Sequence, residues 1–166
     1  MHTKDYGAVM ILMLTTTFGC NNDSSLADEN SINNEVALVT GNLSATECLK
    51  RTRSGDSERK TIQLTKEGQD IRIDLNNYYM NCGFRGEKDA KIDCSAAKDT
   101  LQIFVEEILP EEWKKDCMCP VNINFTIFGI EKKDYFVKIN GLNVGLAPLR
   151  NQDSVVLDIL PIVASD

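Results

Sequence analysis

The sequence predicts an all-β domain, an antiparallel β-sandwich of about seven or eight strands. From residue 35 onward, apolar residues recur at every second position, which is the period of a half-buried strand. Turn signals separate these runs at 53–56, 66–68 and 140–141. Because no long helical period lies between the runs, we expect antiparallel strands packed in two layers.

Eight candidate strands follow one another along the chain. The clearest covers 121–127, where apolar residues alternate with Asn122, Asn124 and Thr126. A single helical turn is expected over 110–116, since Pro110 and acidic residues suit a first turn. The inward-facing residues of the eight strands are Leu43 and Ala45; Ile62 and Leu64; Ile71, Ile73 and Leu75; Ile92 and Cys94; Leu101, Ile103 and Val105; Val121, Ile123, Phe125 and Ile127; Tyr135, Val137 and Ile139; and Val155, Leu157 and Ile159.

Composition and charge exclude several classes of protein. The chain has 166 residues, of which 18 are basic and 25 acidic, and a formal net charge of −7. An apolar content of 42% is too high for a wholly disordered chain, and no apolar run is long enough for a membrane-spanning helix. Since no basic patch offsets the acidic balance, we expect no nucleic-acid partner.

The first twenty residues have the parts of a secretory signal. A weakly charged start precedes an apolar core over 8–14, and Phe18, Gly19 and Cys20 follow. This end resembles the lipobox of bacterial lipoproteins, in the relaxed form found in Bacteroidetes. The resemblance implies a lipoprotein signal peptide over 1–19 and membrane attachment through acyl chains on Cys20. An ordinary signal peptide and a buried strand are the alternatives.

The remainder of the chain divides at about residue 34. Residues 20–34 are expected to form the lipidated cysteine and a flexible tether, because this polar stretch cannot bury enough apolar surface to become ordered. Residues 35–166 contain the strand pattern and form the predicted β-sandwich domain.

Three segments of the domain together resemble a known group of proteins. They are the strand over 70–82 that ends in Asn81 and Cys82, the Thr-Leu-Gln-Ile-Phe-Val-Glu strand over 100–106, and the Cys-Met-Cys-Pro start of 117–127. In this order they resemble small, mostly uncharacterised Bacteroidetes lipoproteins with an immunoglobulin-like β-sandwich. The resemblance implies that fold and an outer-membrane location, on either the periplasmic or the surface face, but no activity. Tyr135 resembles the tyrosine corner of immunoglobulin-like folds.

The cysteines after Cys20 are expected to form disulfides, since an exported protein meets an oxidising environment. Cys117 and Cys119 lie two apart on an extended chain, so their side chains share a face and each should bridge a different partner. We expect Cys82 and Cys94 to be those partners, which leaves Cys48 free or buried. The alternative is a Zn²⁺ or Cu⁺ site held by thiolates. The favoured interpretation includes neither metal nor cofactor.

The absence of histidine after signal-peptide removal limits the catalytic mechanisms open to this protein. His2 is the only histidine and would leave with the signal peptide, which removes Ser-His-Asp and Cys-His arrangements. Adjacent carboxylates occur at 106–107 and 111–112, but neighbours on an extended chain point to opposite faces, so neither pair is a ready acid–base couple. We therefore expect no catalytic residues and no enzyme activity.

Trp113, the only tryptophan, lies in a predicted loop between Glu112 and Lys114. The favoured interpretation is that it caps one end of the sandwich core. In the other, it contacts a ligand or partner, because indoles are frequent in binding hot spots.

Three functional hypotheses follow from these observations. The first is a non-catalytic binding or accessory module of the bacterial cell envelope, anchored by Cys20, whose ligand is a glycan, a peptide or an envelope protein. The second is an inhibitor or immunity-type lipoprotein against a cationic envelope-attacking protein, which the charge of −7 favours. The third, an enzyme that uses carboxylates, is the weakest.

Overall fold

Alternating apolar side chains build two five-stranded sheets that pack face to face as a β-sandwich. The structure is a computed structural model and describes residues 35–49 and 59–160. The predicted signal peptide over 1–19, Cys20, the tether over 20–34 and residues 161–166 lie outside the described residues. Within the described ranges, no helix is long and apolar enough to cross a membrane.

Ten strands and two single-turn 3₁₀ helices form in these ranges. The 3₁₀ turns cover Glu87–Asp89 and Glu111–Trp113, and the second of them confirms the helical turn expected after Pro110. The strands are β1 (Val36–Leu38), β2 (Thr40–Ala45), β3 (Thr61–Glu67), β4 (Asp70–Asn81), β5 (Ala90–Ala97), β6 (Thr100–Glu107), β7 (Met118–Ile127), β8 (Tyr135–Ile139), β9 (Leu142–Ala147) and β10 (Ser154–Asp158).

The first sheet has the order β1-β5-β6-β8-β9, and the second has the order β10-β3-β4-β7-β2. The expected antiparallel arrangement is wrong for one pair, because β6 and β8 run parallel in the first sheet. The chain leaves the first sheet after β6, forms β7 in the second sheet and returns as β8. Each crossing reverses the chain direction, so two crossings bring β8 back in the direction of β6.

All eight predicted strands are present, and two further strands, β1 and β9, were not predicted. β1 has only three residues and exposes most of its apolar surface, so it lacks an alternating pattern. β9 is interrupted by Gly145, and a register shift occurs opposite it in β8. β1 pairs with the first sheet and β2 with the second, so the chain changes sheets at Val39.

The core lies between the two sheets and contains the inward-facing side chains that the alternation predicts. The second sheet contributes Ile62 and Leu64, four residues of β4 and five of β7, while the first contributes alternate residues of β5, β6 and β8. The largest of the fully buried side chains are Tyr135 and Phe125. A one-residue slip of any central strand would move its whole apolar set to the solvent face.

Tyr135 makes a hydrogen bond of the kind that a tyrosine corner has, from the start of β8 back to the preceding loop. Its ring is 1% exposed, and its hydroxyl donates a hydrogen bond of 2.8 Å to the carbonyl oxygen of Glu131. Burial, together with the charges of Glu131 and Asp99, raises the pKa of the phenol to about 12. The bond fixes the loop between β7 and β8 against the start of β8.

Asn140 and Gly141 form the predicted turn between β8 and β9. Their φ angles are 48° and 82°, as a type I′ hairpin turn requires. The side-chain amide of Asn140 also pairs with the backbone of β6. Its Oδ1 accepts from the Val105 N–H at 2.8 Å, and its Nδ2 donates to the Val105 carbonyl at 3.0 Å. The turn residue therefore ties two strands of the first sheet together.

Replacing Tyr135 with phenylalanine removes the corner bond and keeps the buried ring. We expect Tyr135→Phe to lower the free energy of unfolding by about 1 kcal/mol, measured by urea denaturation. The matched control, Tyr79→Phe, removes a phenol hydroxyl from a half-buried position on β4, and its effect should stay within about 0.5 kcal/mol. Equal effects of the two changes would contradict the role of the corner.

Candidate functional site

An open cleft of about 410 Å³ lies where the segment after β4 meets the loop between β6 and β7. We call residues 108–117 the tryptophan loop and the depression the Trp113 cleft. The cleft is lined by Cys82, Gly83, Phe84, Arg85, Glu112, Trp113, Lys114 and Lys115.

Asn81, at the end of β4, holds the far end of the tryptophan loop. Its Oδ1 accepts from the backbone N–H groups of Gly83 and Lys115, each at 2.9 Å, and its Nδ2 donates to the Lys115 carbonyl at 2.7 Å. Its own backbone N–H donates to the carboxylate of Glu107. Asn81 thus joins the loop to β4 through its side chain and to Glu107 of β6 through its backbone.

Gly83 lets the loop lie directly on the segment after β4. A Cβ atom at this position would come within 2.0 Å of the Trp113 carbonyl oxygen, which belongs to the backbone and cannot rotate away. Any larger residue would displace the tryptophan loop or the strand end.

Two disulfides lie close to the cleft, and their pairing differs in part from the expected one. Cys82 is bonded to Cys117 and Cys48 to Cys119, each with Cα atoms 5.5 Å apart, so Cys117 and Cys119 do bridge different partners. Cys94, however, is a buried free cysteine, and the expectation that it forms a disulfide while Cys48 stays free was wrong.

Sheet topology explains the exchange of Cys94 for Cys48. Cys94 lies on β5 in the first sheet, whereas Cys119 lies on β7 in the second. β2 pairs with β7, and the chain after it stays alongside, with the Leu49 N–H donating to the Pro120 carbonyl at 2.9 Å. Cys48 is therefore carried to Cys119 by strand pairing.

Trp113 lies outside the core cluster and is 41% exposed, so the interpretation that it caps the core was wrong. The Arg85 guanidinium lies over the indole at 3.4 Å from the ring centroid. This is a cation–π contact.

Asp89 holds Arg85 in this position. The Asp89 carboxylate is 3% exposed and accepts from Arg85 Nε at 3.0 Å, from Nη2 at 2.9 Å and from the Arg85 backbone N–H at 2.8 Å. These bonds hold the pKa of Asp89 below its ordinary value although burial opposes this, and they raise the pKa of Arg85. Because Asp89 uses two of the five guanidinium N–H groups, three remain for other acceptors.

Charged neighbours complete the cleft. Lys114 Nζ lies 2.6 Å from a Glu111 carboxylate oxygen across the 3₁₀ turn, and Lys115 and Glu112 line the opening. The cleft thus combines an exposed indole, a fixed guanidinium, ammonium groups and a carboxylate acceptor, which are the components of a polar small-molecule site.

Other predicted chemistry is not assembled. The Glu107 carboxylate accepts from the Asn81 backbone N–H, whereas a Glu106 carboxylate oxygen lies 3.8 Å from Lys91 Nζ. These neighbouring carboxylates therefore do not share a site. Four of the thiols that the zinc or copper alternative needs are joined as disulfides. In residues 35–49 and 59–160, no three His, Cys, Asp or Glu side chains are grouped to hold a metal ion.

The outer face of the second sheet offers a shallower depression of about 400 Å³, lined by polar residues of β3 and β4. Its side chains bond one another: Gln63 donates to Ser154 at 3.0 Å, and Arg72 donates to Asp74 at 2.9 Å. It has no exposed aromatic ring in its lining. The Trp113 cleft is therefore the stronger candidate.

Comparison of the chain with protein-family models, curated proteins and solved structures finds no match.

Asp89 should be the residue that maintains the Arg85–Trp113 stack. We expect Asp89→Ala to shift the emission of Trp113 to longer wavelength and to lower the free energy of unfolding by about 2 kcal/mol. Asp74→Ala is the matched control, since Asp74 also pairs with an arginine but on an exposed sheet face, and should cost less than about 1 kcal/mol. An unchanged Trp113 spectrum in Asp89→Ala would contradict this role.

Cys94 should make stability fall at high pH. Burial, with a smaller contribution from Asp93, raises the pKa of its thiol to about 12, while the unfolded thiol ionises near about 8.5. Above that value the unfolded state binds fewer protons than the native state, so the free energy of unfolding falls as pH rises.

The test compares the parent protein with Cys94→Ala by urea denaturation at pH 8 and pH 10. The cavity cost of the variant does not depend on pH, so its deficit relative to the parent should narrow by up to about 2 kcal/mol at the higher pH. A constant deficit would contradict a native thiol that stays protonated.

Proposed function

We propose that this protein is a non-catalytic binding or accessory module of the bacterial cell envelope, that acyl chains on Cys20 hold it at the outer membrane, and that its ligand binds in the Trp113 cleft. The proposal includes membership among Bacteroidetes lipoproteins of immunoglobulin-like fold. The tyrosine corner at Tyr135 supports the fold assignment, and the lipobox pattern at 18–20 supports the anchor.

The observation that carries the proposal is the Arg85–Trp113 stack. An indole that is 41% exposed contributes less to stability than a buried one, yet this indole is covered on one face by a guanidinium that a buried carboxylate fixes. Asn81 and Gly83 fix the backbone of the same loop. A surface group held this rigidly loses little freedom when a ligand binds, which favours affinity.

The disulfides support the envelope as the compartment. Cys82–Cys117 ties the tryptophan loop to the end of β4. Cys48–Cys119 ties the segment after β2 to the start of β7. Bonds of this kind form and persist in oxidising compartments such as the periplasm.

The test screens the purified full-length protein, in detergent, for binding to an array of saccharides and peptides. Trp113→Ala should lose binding to the recognised class by at least about tenfold, because truncation of a hot-spot aromatic costs that much or more. Its unfolding temperature should stay close to that of the parent, since the ring lies outside the core.

Phe136→Ala is the matched control. Phe136 is an aromatic residue on the outer face of the first sheet and is 57% exposed, so its loss should leave binding unchanged. Ligand binding that survives Trp113→Ala and fails in Phe136→Ala would place the site on that sheet and would refute the proposal.

A further inference from the structure

We infer that the Trp113 cleft takes an acidic saccharide, in which a sugar ring lies against the open part of the indole and a ring carboxylate binds Arg85. The inference rests on the proposed function and names the ligand class of that site. Four features of the cleft carry it: the indole, the free guanidinium N–H groups, the balance of charge and the volume.

The indole supplies an apolar platform for a ring. Arg85 covers one face of the ring, and Trp113 as a whole is still 41% exposed. The C–H groups of a pyranose ring pack against such a surface, while the hydroxyl groups around the ring need donors and acceptors. Lys115 and Glu112 provide a donor and an acceptor at the rim.

Arg85 supplies the site for an anion. Asp89 occupies the Nε and Nη2 edge, and the three N–H groups left over include one on Nη2 and both on Nη1. Two of these point the same way, as bidentate recognition of a carboxylate requires. The guanidinium is already oriented, so the ligand does not have to order it.

The charges favour a single negative charge over a double one. Three cations, Arg85, Lys114 and Lys115, stand near three carboxylates, those of Asp89, Glu111 and Glu112. A phosphate dianion would meet repulsion from Glu112, while Arg85 and Lys114 are already paired with Asp89 and Glu111. A carboxylate on an otherwise neutral sugar satisfies Arg85 and leaves the hydroxyl groups for Glu112.

The size of the cleft fits one or two sugar rings. Its volume of about 410 Å³ lies in the lower part of the range for small-molecule sites, and it is open to solvent on one side, so a longer chain could continue outward.

Trp113 makes the site directly observable, because it is the only tryptophan of the chain. The full-length protein in detergent is titrated with methyl galacturonoside, which carries one carboxylate, with the methyl ester of that carboxylate, and with methyl galactoside. We expect saturable quenching by methyl galacturonoside, and binding at least about tenfold weaker for the ester and for methyl galactoside, since both lack the charge. Calorimetry on the same samples confirms the affinities independently of the fluorescence.

Arg85→Lys keeps the positive charge and removes the bidentate edge. It should weaken the binding of methyl galacturonoside by at least about tenfold, so that most of its advantage over methyl galactoside is lost. Arg72→Lys, in the exposed Arg–Asp pair of the second sheet, is the matched control and should bind like the parent. Thermal unfolding of each variant verifies that it is folded.

Three outcomes would overturn the inference. Equal affinity for methyl galacturonoside, its methyl ester and methyl galactoside, unaffected by Arg85→Lys, would leave the cleft a binding site for neutral sugars. Stronger binding of inorganic phosphate, or of a peptide with a free terminal carboxylate, would leave the proposed function standing with a different ligand class. If no saccharide or peptide bound in a Trp113-dependent manner, both the inference and the proposed function would fail.

Discussion

The pairing of β4 with β7 is the contact on which both the core and the cleft depend. It aligns inward residues of the second sheet, such as Ile73 opposite Phe125, and continues past the end of β3, so that Asn81 lies opposite Met118. A bulge between Leu75 and Tyr78, where the Asn77 N–H donates to Asn122 Oδ1 at 3.0 Å, shifts the alternation by one. The shift brings Met80 into the core and delivers Asn81 and Cys82 to the tryptophan loop.

Local alternation was sufficient to predict eight of the ten described strands, since an inward-facing apolar set is encoded within a few consecutive residues. Partner strands were not predictable in the same way. The parallel pairing of β6 with β8 follows from where β7 lies, and Cys48 reaches Cys119 only because β2 pairs with β7. These are relations between segments far apart in sequence, which periodicity does not report.

The sequence predicted Trp113 as a candidate binding residue, but it did not predict which residues surround Trp113 in the fold. Trp113 stood out as the only tryptophan of the chain. Asn81 was noted only as part of a strand-end motif, and Gly83, Arg85 and Asp89, which also set the surroundings of Trp113, belonged to no motif. The spacing of Arg85 and Asp89 is that of an ion pair on a helix, and a 3₁₀ turn does bring them together. Without a predicted helix there, the spacing carried no information.

The change of sheets at Val39 determines how the domain would respond to a pulling force. On a chain held from its N-terminal side, tension enters at Glu35 and acts first on β1, whose three paired residues join only β5. Peeling can proceed through β2, but at Cys48 the bond to Cys119 transfers the load to β7. The bond closes residues 48–119 into a covalent loop, so tension from the N-terminal side bypasses the tryptophan loop, which lies within those residues.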